Sequence, residues 1–463
     1  MLPVVALVGR PNVGKSTLFN ALTRSRDALV ADMPGVTRDR HYGVCRRRDR
    51  PFVVVDTGGL GDAAQSLDAL TTCQVQMAID ESDILLLIVD AREGLSPLDA
   101  SVLQGLRRSG KPVLLTVNKT DGLDLDVASA DFATLGISPV LPIAASHGRG
   151  LDSLLDELIP RLPRQQEVAN LAAEGIPIAV LGRPNVGKST LVNRLLGEER
   201  VVVSELAGTT RDAIHVPLQR DGKSYVLIDT AGIRRRARVE QALEKFSVIK
   251  ALQALDDAEV ALLMLDAQEG VTDQDLSLIS YILDAGRALV IALNKWDGLS
   301  RDARRHCRAG IDRKLEFVTW AQVITLSALQ GSGFRELMRA IDRAHAAAHR
   351  SLGTPALTRA LEQAYTAYQP PLVRGHAPKL RYAHLGGNHP PTIIIHGSRT
   401  KHLAPTYIRY LENFFRKRFR LFGTPVRIHF REGENPFAGH KNVLSGRQLR
   451  KRKRLLQHVR GKH

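Results

Sequence analysis

The segment VVALVGRPNVGKST, residues 4–17, joins a short apolar run to a glycine-containing loop, and its last nine residues return unchanged at 182–190. Further matches follow in the same order along the chain: PGVTRD (34–39) with AGTTRD (207–212), DTGGL (56–60) with DTAGI (229–233), NKTD (118–121) with NKWD (294–297), and AASHGRG (144–150) with SALQGSG (327–333). Because these matches keep one order and lie outside low-complexity sequence, they predict a duplicated domain.

Each copy alternates short apolar runs with stretches of helical pattern. The runs lie at 4–8, 52–55, 84–89 and 113–117 in the first copy and at 178–181, 225–228, 260–265 and 288–293 in the second. Short runs rich in Val, Ile and Leu are typical of strands buried on both faces of a parallel sheet. The predicted fold class is therefore α/β: an open, mostly parallel sheet with helices on both faces, occurring twice.

The positive charge of the chain is concentrated in its last quarter. The 463 residues carry a net charge of +17, but 23 Lys and Arg face four acids from Arg350 onward, so this part carries +19 and the rest −2. A segment so basic predicts a polyanionic partner. Breaks in pattern and charge divide the chain into a first domain at 1–162, a linker at 163–175, a second domain at 176–350, a small α/β domain at 351–440 and a basic, disordered tail at 441–463.

Composition excludes several classes of protein. The balance of 44% hydrophobic and 24% charged residues is that of a folded chain, and no apolar stretch reaches the ~18 residues of a membrane span. The first residues, MLPVVALVG, do not have the pattern of a signal peptide. Three widely spaced cysteines without a CxxC motif predict a reducing, cytoplasmic location, and the histidines show no spacing typical of metal ligands.

The repeated loop, G-x-x-x-x-G-K-S, lies between a predicted strand and a predicted helix. Its glycines permit backbone N–H groups to wrap a phosphate, and the helix N-terminus favours negative charge. Lys15 and Lys188 are predicted to reach the β- and γ-phosphates, and Ser16 and Ser189 to ligate Mg²⁺. The predicted phosphate-binding residues are Gly9, Arg10, Pro11, Asn12, Val13, Gly14, Lys15, Ser16 and Thr17, and Gly182, Arg183, Pro184, Asn185, Val186, Gly187, Lys188, Ser189 and Thr190.

Two further motifs are predicted to surround the same phosphates. Asp56 and Asp229 each end a strand 41 residues after the loop lysine, where a carboxylate can hold the Mg²⁺ shell through water. Thr37 and Thr210, 22 residues after that lysine, are predicted to close over Mg²⁺ only while the γ-phosphate is present, which makes a switch. Gly59 and Gly232 are predicted to donate an N–H to the γ-phosphate. The full motifs are Asp56, Thr57, Gly58, Gly59 and Leu60, and Asp229, Thr230, Ala231, Gly232 and Ile233.

The N-K-x-D motifs predict that guanine is the base. Asp121 and Asp297 can each accept hydrogen bonds from guanine N1–H and N2–H₂, whereas adenine would leave the carboxylate unpaired; such sites discriminate by roughly 10⁴-fold or more. The predicted base-binding residues are Asn118, Lys119, Thr120, Asp121 and Ala145, and Asn294, Lys295, Trp296, Asp297 and Ala328, the two alanines through their backbone N–H. Ala144 stands where the second copy has Ser327, so we expect the first site to bind nucleotide more weakly or exchange it faster.

Taken together, the tandem P-loop NTPase G domains, the GRPNVGKST loops, the TRD segments and the basic α/β domain resemble the Der (EngA) family of bacterial GTPases. The resemblance spans essentially the whole chain. It implies a C-terminal KH-like domain, GTP and GDP as ligands of two sites, and a role in maturation of the large ribosomal subunit, with that subunit and its rRNA as partners. It also implies a cytoplasmic protein, monomeric in solution and without a membrane partner.

The water-orienting residue of Ras-like enzymes is missing from both copies. Those enzymes place a glutamine directly after the DxxG glycine, where this chain has Leu60 and Ile233. By resemblance to potassium-dependent GTPases, Asn12 and Asn185 are expected to ligate K⁺, whose charge would act as an arginine finger does. The alternative is that each Asn only caps its loop. The predicted activity is slow, K⁺-stimulated GTP hydrolysis, with catalytic residues Lys15, Thr37, Gly59, Lys188, Thr210 and Gly232.

The basic quarter is predicted to fold in the order helix, strand, strand, helix, strand between 356 and 430. The GxxG loop with which KH domains clamp RNA is absent between its helices, and Gly386 and Gly387 are predicted to lie in a strand connection. The domain therefore either contacts RNA or docks the G domains. The predicted solvated basic face is Arg416, Lys417, Arg418 and Arg420, and the predicted core aromatics are Phe414, Phe415 and Phe419. The tail at 441–463 is predicted to contact rRNA.

Two classes of function fit these motifs. One is an enzyme whose GTP hydrolysis times its release from a ribosomal precursor, and the other is a nucleotide-gated RNA-binding scaffold in which turnover is incidental. A third, a GTPase of tRNA modification or of membranes, lacks support because such relatives carry one G domain. The arginine cluster at 234–238, where the first copy has GDAA (61–64), is predicted to face rRNA or the tail domain when the second site holds GTP.

Overall fold

A computed structural model of the protein describes residues 2–23, 42–59, 73–163, 175–197, 215–228, 248–372, 376–400 and 403–432. These residues form three sheets, each covered by helices. Within these residues, no helix combines the length and the apolar character that a membrane crossing requires.

The first sheet has six strands in the order β2-β3-β1-β4-β5-β6, all parallel except β2, which pairs antiparallel with β3. Its strands are β1 Val4–Val8, β2 Tyr42–Cys45, β3 Phe52–Asp56, β4 Ile84–Asp90, β5 Val113–Asn118 and β6 Val140–Pro142. Its helices are α1 Lys15–Thr23, α2 Cys73–Glu81, α3 Pro97–Arg108, α4 Leu125–Ala130 and α5 Leu151–Leu158. Every residue of β1, β3 and β4 is buried, as expected for strands covered on both faces.

The second sheet repeats this topology in the order β8-β9-β7-β10-β11-β12, again with one antiparallel edge strand, β8. Its strands are β7 Ile176–Leu181, β8 Val216–Arg220, β9 Lys223–Ile228, β10 Val260–Asp266, β11 Ala288–Asn294 and β12 Gln322–Thr325. Its helices are α6 Lys188–Gly197, α7 Val248–Asp257, α8 Asp273–Ala285, α9 Arg301–Lys314 and α10 Phe334–Ala348. The matching strand orders confirm the predicted duplication and the α/β fold class.

The third sheet is small and mixed: β13 Lys379–Gly387 pairs antiparallel with β14 Thr392–Ser398, which pairs parallel with β15 Arg427–Glu432. Helices α11 Thr354–Ala367 and α12 Pro405–Arg418 pack on it, so the predicted element order is confirmed. The predicted strand connection at Gly386 and Gly387 is wrong, because both residues belong to the end of β13, where a register shift interrupts the pairing. Phe415 is fully buried, and Phe414 and Phe419 pack against the same core, as predicted.

The C-terminal domain packs on the second sheet at the end opposite the phosphate loop. The Leu289 N–H, at the start of β11, donates to the Gly423 carbonyl at 2.6 Å, and the Gly423 N–H donates to the Trp320 carbonyl at 3.0 Å. Gly423 has a φ of +69°, and an added Cβ would lie 2.6 Å from the Ala344 Cβ. Only glycine therefore fits this position without displacing α10.

Arg416 is buried in this contact, which corrects its predicted place on a solvated face. Its guanidinium carbon lies 5.0 Å from the centre of the ring of Trp320, which precedes β12 of the second sheet. An indole face attracts a cation by its ring quadrupole, which helps to offset the cost of burying the charge. Burial lowers the pKa of Arg416 to about 10, although Glu412 opposes this shift. Lys417, Arg418 and Arg420 remain exposed, as predicted.

The first sheet contacts the second through the start of the chain and the edge strand β2. The Gln253 side-chain amide of α7 donates to the Leu2 carbonyl at 2.8 Å, and Arg46 pairs with Asp256 at 3.0 Å. The apolar residues of the first sheet and those of α7 meet here, because they belong to one hydrophobic cluster. The predicted domain boundaries stay predictions.

Candidate nucleotide-binding sites

The first phosphate loop is closed by its own lysine. Lys15 is 7% exposed, and its Nζ donates to the carbonyls of Gly9 at 2.8 Å and Arg10 at 2.6 Å. Burial lowers the pKa of Lys15, while the nearby Asp56 carboxylate opposes that shift. Gly14 has a φ of +96°, and an added Cβ would run into the Asn118 side chain. A residue larger than glycine at position 14 would therefore disturb the backbone conformation of the loop.

The second loop has the same geometry. Lys188 Nζ donates to the carbonyls of Gly182 at 2.8 Å and Arg183 at 2.7 Å. Gly187 has a φ of +102°, and its Cβ would meet Asn294, the counterpart of Asn118. Two loops with one set of hydrogen bonds indicate two phosphate sites of one design.

Arg10 and Arg183 turn away from the phosphate cradle. The Arg10 Nε donates to Asp99 Oδ1 at 2.7 Å, and Arg183 Nε donates to Asp275 Oδ1 at 3.1 Å. Both aspartates are fully buried and also close the capping boxes that start α3 and α8. These arginines therefore support the loop from outside, and only their backbone faces the cradle.

Asn12 and Asn185 are exposed and have φ values of 65° and 64°. Asparagine tolerates this left-handed region better than most residues, so the backbone alone gives one reason for its presence. The K⁺ ligands and the loop-capping alternative both remain compatible with this geometry. A substitution by glycine separates them, because it keeps the backbone conformation and removes the amide oxygen.

Asp56 ends β3 inside the first site. It is 2% exposed, and its Oδ1 accepts the Gly58 N–H at 2.9 Å, while the Thr57 hydroxyl donates to the Leu7 carbonyl at 2.6 Å. A Cβ on Gly58 would lie 2.6 Å from Lys15 Cε, so this motif adjoins the phosphate loop. Oxygen donors beside a phosphate cradle suit Mg²⁺, and Asp56 with Ser16 would hold it there.

Several predicted residues lie outside the described part of the chain. They are Thr37, Leu60, Thr210, Asp229, Thr230, Ala231, Gly232 and Ile233, with the arginine cluster at 234–238 and the tail at 441–463. Their predicted roles stay predictions. Among the predicted Mg²⁺ ligands, Ser16, Asp56 and Ser189 are described.

The asparagine of each N-K-x-D motif ties three loops together. Asn118 Nδ2 donates to the Val13 carbonyl at 2.8 Å, and its Oδ1 accepts the Ala145 N–H at 3.1 Å. Asn294 does the same, with the Val186 carbonyl at 2.8 Å and the Ala328 N–H at 2.9 Å. The base-binding and phosphate-binding loops are therefore one rigid unit in each domain. The alanine N–H groups predicted to meet guanine O6 donate to this asparagine.

The lysine of each motif is fixed by an aspartate that the sequence reasoning missed. Lys119 pairs with Asp90 at the end of β4, and Lys295 pairs with Asp266 at the end of β10. Burial would raise the pKa of Asp90, but hydrogen bonds from Lys119 and from the Arg92 backbone lower it. Both lysines have a left-handed φ. The sequence could have indicated these aspartates, because Asp90 and Asp266 each end an apolar run at corresponding positions of the two copies.

The two sites differ where the base would be read. Arg92 pairs with Asp121 in the first site, and uncharged Gln268 occupies the equivalent place in the second. Equivalence is set by the backbone, because the Arg92 and Gln268 N–H groups each donate at 2.9 Å to the preceding strand-end aspartate. A guanine bound as predicted would therefore compete with the Arg92 guanidinium for the Asp121 carboxylate.

The loops that carry the alanine N–H groups differ as well. In the second site the Ser327 hydroxyl is buried and accepts the Gln330 N–H at 3.2 Å. In the first site Ala144 is buried and has no hydroxyl to make this bond. The first loop thus has one fewer side-chain hydrogen bond holding it in place.

Known proteins match the whole chain. A family model described as 50S ribosome-binding GTPase matches residues 4–119 and 177–295, and one described as the C-terminal KH-domain-like region of EngA bacterial GTPase enzymes matches 352–431. GTPase Der of Xanthomonas axonopodis pv. citri is 57% identical over 465 residues, and that of Stenotrophomonas maltophilia K279a is 56% identical, with 100% of each chain covered.

Solved structures match at a lower level. The G domain of the FeoB iron transporter of T. maritima is 26% identical with a TM-score of 0.27, covering 36% of this chain and 96% of that one. Era of Aquifex aeolicus bound to GDP and aluminium fluoride is 19% identical with a TM-score of 0.27, covering 55% and 92%. By its full-length relatives and its family models, the chain belongs to the GTPase Der family: it is a GTP-binding, GTP-hydrolysing enzyme with two G domains and a KH-like C-terminal domain.

Proposed function

We propose that the chain binds GTP with Mg²⁺ in both G domains and that its nucleotide state gates its binding to the large ribosomal subunit during maturation of that subunit. The observation that carries this proposal is the repetition of a complete loop framework: in each domain one asparagine joins the phosphate loop to the base-binding loop. The 50S description of the matching family model supports the partner.

Each predicted site residue has a proposed role toward GTP. Lys15 and Lys188 hold the β- and γ-phosphates, and Asp121 and Asp297 accept the guanine N–H groups. The proposed Mg²⁺ ligands are Ser16, Thr37 and Asp56 in the first site and Ser189, Thr210 and Asp229 in the second. Gly59 and Gly232 donate to the γ-phosphate. When GTP is bound, Mg²⁺ would neutralise charge that develops on the transferred phosphoryl group.

Hydrolysis in this proposal is slow without K⁺. Neither Leu60 nor Ile233 can orient a water molecule, so the electrostatic part of catalysis has to come from elsewhere. A K⁺ ion held by Asn12 or Asn185 beside the phosphates would supply it. A slow intrinsic rate also favours the second candidate function, a scaffold for which nucleotide binding alone is sufficient.

The basic quarter supplies the proposed rRNA contact. Lys417, Arg418 and Arg420 are exposed, whereas Arg416 is withdrawn into the contact with the second G domain. Together with the tail at 441–463, these basic side chains would neutralise RNA phosphates and release counterions. We also propose that the protein is a cytoplasmic monomer without a membrane partner. Its proposed domains are residues 1–162, 176–350 and 351–440.

Co-sedimentation with purified ribosomal subunits in K⁺ buffer tests the proposal. We expect binding to the large subunit with a non-hydrolysable GTP analogue and little binding with GDP. A chain ending at 440 should bind more weakly and with a flatter dependence on salt. Equal binding to both subunits and to unrelated RNA, whatever the nucleotide, would contradict a gated partner.

Single-turnover hydrolysis on the bound subunit separates the two candidate functions. An enzyme that times its own release should leave the subunit at the rate at which GTP is hydrolysed. A scaffold should remain bound through turnover and leave only when nucleotide is removed.

A further inference from the structure

Three polar side chains of the second G domain converge beside the C-terminal domain. Glu259 lies just before β10, His345 lies in the last turn of α10, and His349 directly follows the last residue of that helix, four positions after His345. The His345 Nε2 lies 2.7 Å and the His349 Nε2 3.6 Å from Glu259 Oε2. One oxygen and two nitrogens lie within 4.8 Å of one another.

The backbone of α10 fixes how His349 presents itself. Its Nδ1 lies 3.0 Å from the His345 carbonyl oxygen. A carbonyl only accepts, so Nδ1 carries the proton of this hydrogen bond, and Nε2 is the ring nitrogen that faces Glu259. Histidine ligands of metal ions commonly donate their other ring N–H to a backbone carbonyl in this way.

The Glu259 carboxylate lies between the two rings, and its contact with His345 is a direct hydrogen bond that a bound ion would replace. His349 is exposed, whereas Glu259 and His345 are half-buried, so an ion can enter from solvent.

A histidine of the C-terminal domain borders this cluster. His389, between β13 and β14, has its ring centre 3.6 Å from that of His349, at an interplanar angle of 63°. Nearby, the Arg427 guanidinium donates to the Asp284 carbonyl at 2.6 Å and joins the same two domains.

We propose that Glu259, His345 and His349 form a binding site for a divalent transition-metal ion, best suited to Zn²⁺, beside the joint where the His389 ring of the C-terminal domain packs against the ring of His349. Two imidazoles and one carboxylate are a common zinc donor set that leaves a further position open. Nitrogen ligands exclude Mg²⁺, the ion of the nucleotide sites, because Mg²⁺ requires oxygen. The bound ion would lie in the second G domain, beside its contact with the C-terminal domain.

Zinc titration of the full chain tests the site. The protein is first treated with chelator, then saturated with GDP and Mg²⁺ so that the nucleotide sites do not take up zinc, and titrated calorimetrically. The double variant His345→Gln/His349→Gln should bind one equivalent less than the unmodified chain. The matched control, His147→Gln/His306→Gln, removes two exposed histidines from the G domains and should bind as the unmodified chain does.

The measured quantity is a difference because His384 and His396, whose Nε2 atoms lie 3.1 Å apart on the third sheet, are unchanged in every variant. Equal zinc stoichiometry and affinity in the unmodified chain and the double variant would overturn the proposal. Unchanged GDP binding by the double variant establishes that the second domain is folded. Bound Co²⁺ should give the visible absorption of a low-coordinate nitrogen site, and that band should be missing from the double variant.

Glu259→Ala tests the carboxylate on its own. Removing a ligand should weaken zinc binding at least about tenfold, since even the loss of a ligand's hydrogen-bond partner has that effect. Zinc binding should also weaken as the pH falls, because the imidazoles must be neutral to bind. An unaltered affinity in Glu259→Ala would show that Glu259 is not a ligand and would overturn the three-residue site.

Discussion

The two G domains share strand order, phosphate loop and the asparagine that joins their loops, yet they differ at the base-binding edge. Arg92 pairs with Asp121, the proposed guanine-binding carboxylate, in the first domain, where the second has Gln268. Ser327 braces a loop in the second domain, where the first has Ala144. The phosphate loops of the two copies are identical in sequence, while residues beside the predicted base-binding loops differ. Affinity can therefore differ between sites whose chemistry is the same.

The largest expected effect is the loss of one site at a time. Lys15→Ala and Lys188→Ala each remove the ammonium that faces phosphate and also ties the loop carbonyls. We expect the affinity of the altered site for GTP to fall about 10²-fold or more, the scale of losing one preorganised donor. Titration with a fluorescent nucleotide should then count one site in place of two. Each variant is the control for the other, and two remaining equal sites would contradict the assignment.

The next effect concerns potassium. In a Lys188→Ala background, where only the first site turns over, Asn12→Gly keeps the left-handed backbone and removes the amide oxygen. If Asn12 ligates K⁺, the stimulation of hydrolysis by K⁺ over Na⁺ should fall by about 10²-fold. Asn185→Gly in a Lys15→Ala background is the parallel measurement. Full K⁺ stimulation in the glycine variants would leave asparagine with its backbone role alone.

A smaller effect should follow from exchanging the loop residue. Ala144→Ser introduces the hydroxyl that Ser327 uses to accept a backbone N–H, and Ser327→Ala removes it. One such hydrogen bond contributes about 0.5–1.5 kcal/mol, or roughly two- to tenfold in nucleotide dissociation rate. Release of a fluorescent GDP should slow in the first site and quicken in the second. Identical release rates before and after the exchange would mean that the loop is braced by other contacts.

The smallest effect should come from the exposed ion pair. Arg92→Gln frees Asp121 for guanine, and Gln268→Arg places a competing cation beside Asp297. Because exposed ion pairs contribute about 0.2–1 kcal/mol, GDP affinity should rise up to about fivefold in the first variant and fall similarly in the second. The difference should shrink at high salt. A difference that is insensitive to salt would point to loop conformation instead of competition.

The sheets and phosphate loops could be predicted because their signals are local. The buried strands are continuous apolar runs, and the loop lysines follow fixed glycines, so neither depends on distant residues. Asp99 and Asp275 could not be assigned from the sequence to Arg10 and Arg183, because each pair joins residues about ninety positions apart.

The burial of certain polar residues could not be predicted from the sequence either. Arg416 belongs to a basic run that is typical of a solvated face, and only the neighbouring domain makes it buried. His345 and His349 are only four residues apart, but the sequence alone does not mark them as a ligand pair because Glu259 is 86 residues away from His345. Such groups acquire a role only when the topology brings distant segments together.

The contact at Gly423 also bears on where this protein can be divided. A cut near residue 350 follows the sequence boundary, but it would strip Leu289 and Trp320 of their partners and expose Arg416. An isolated C-terminal fragment would therefore be a poor surrogate for the domain in the intact chain. Recombination between relatives would meet the same constraint: a transplanted C-terminal domain requires a small residue facing its glycine from α10. The second G domain and the C-terminal domain should thus be inherited, and expressed, as one unit.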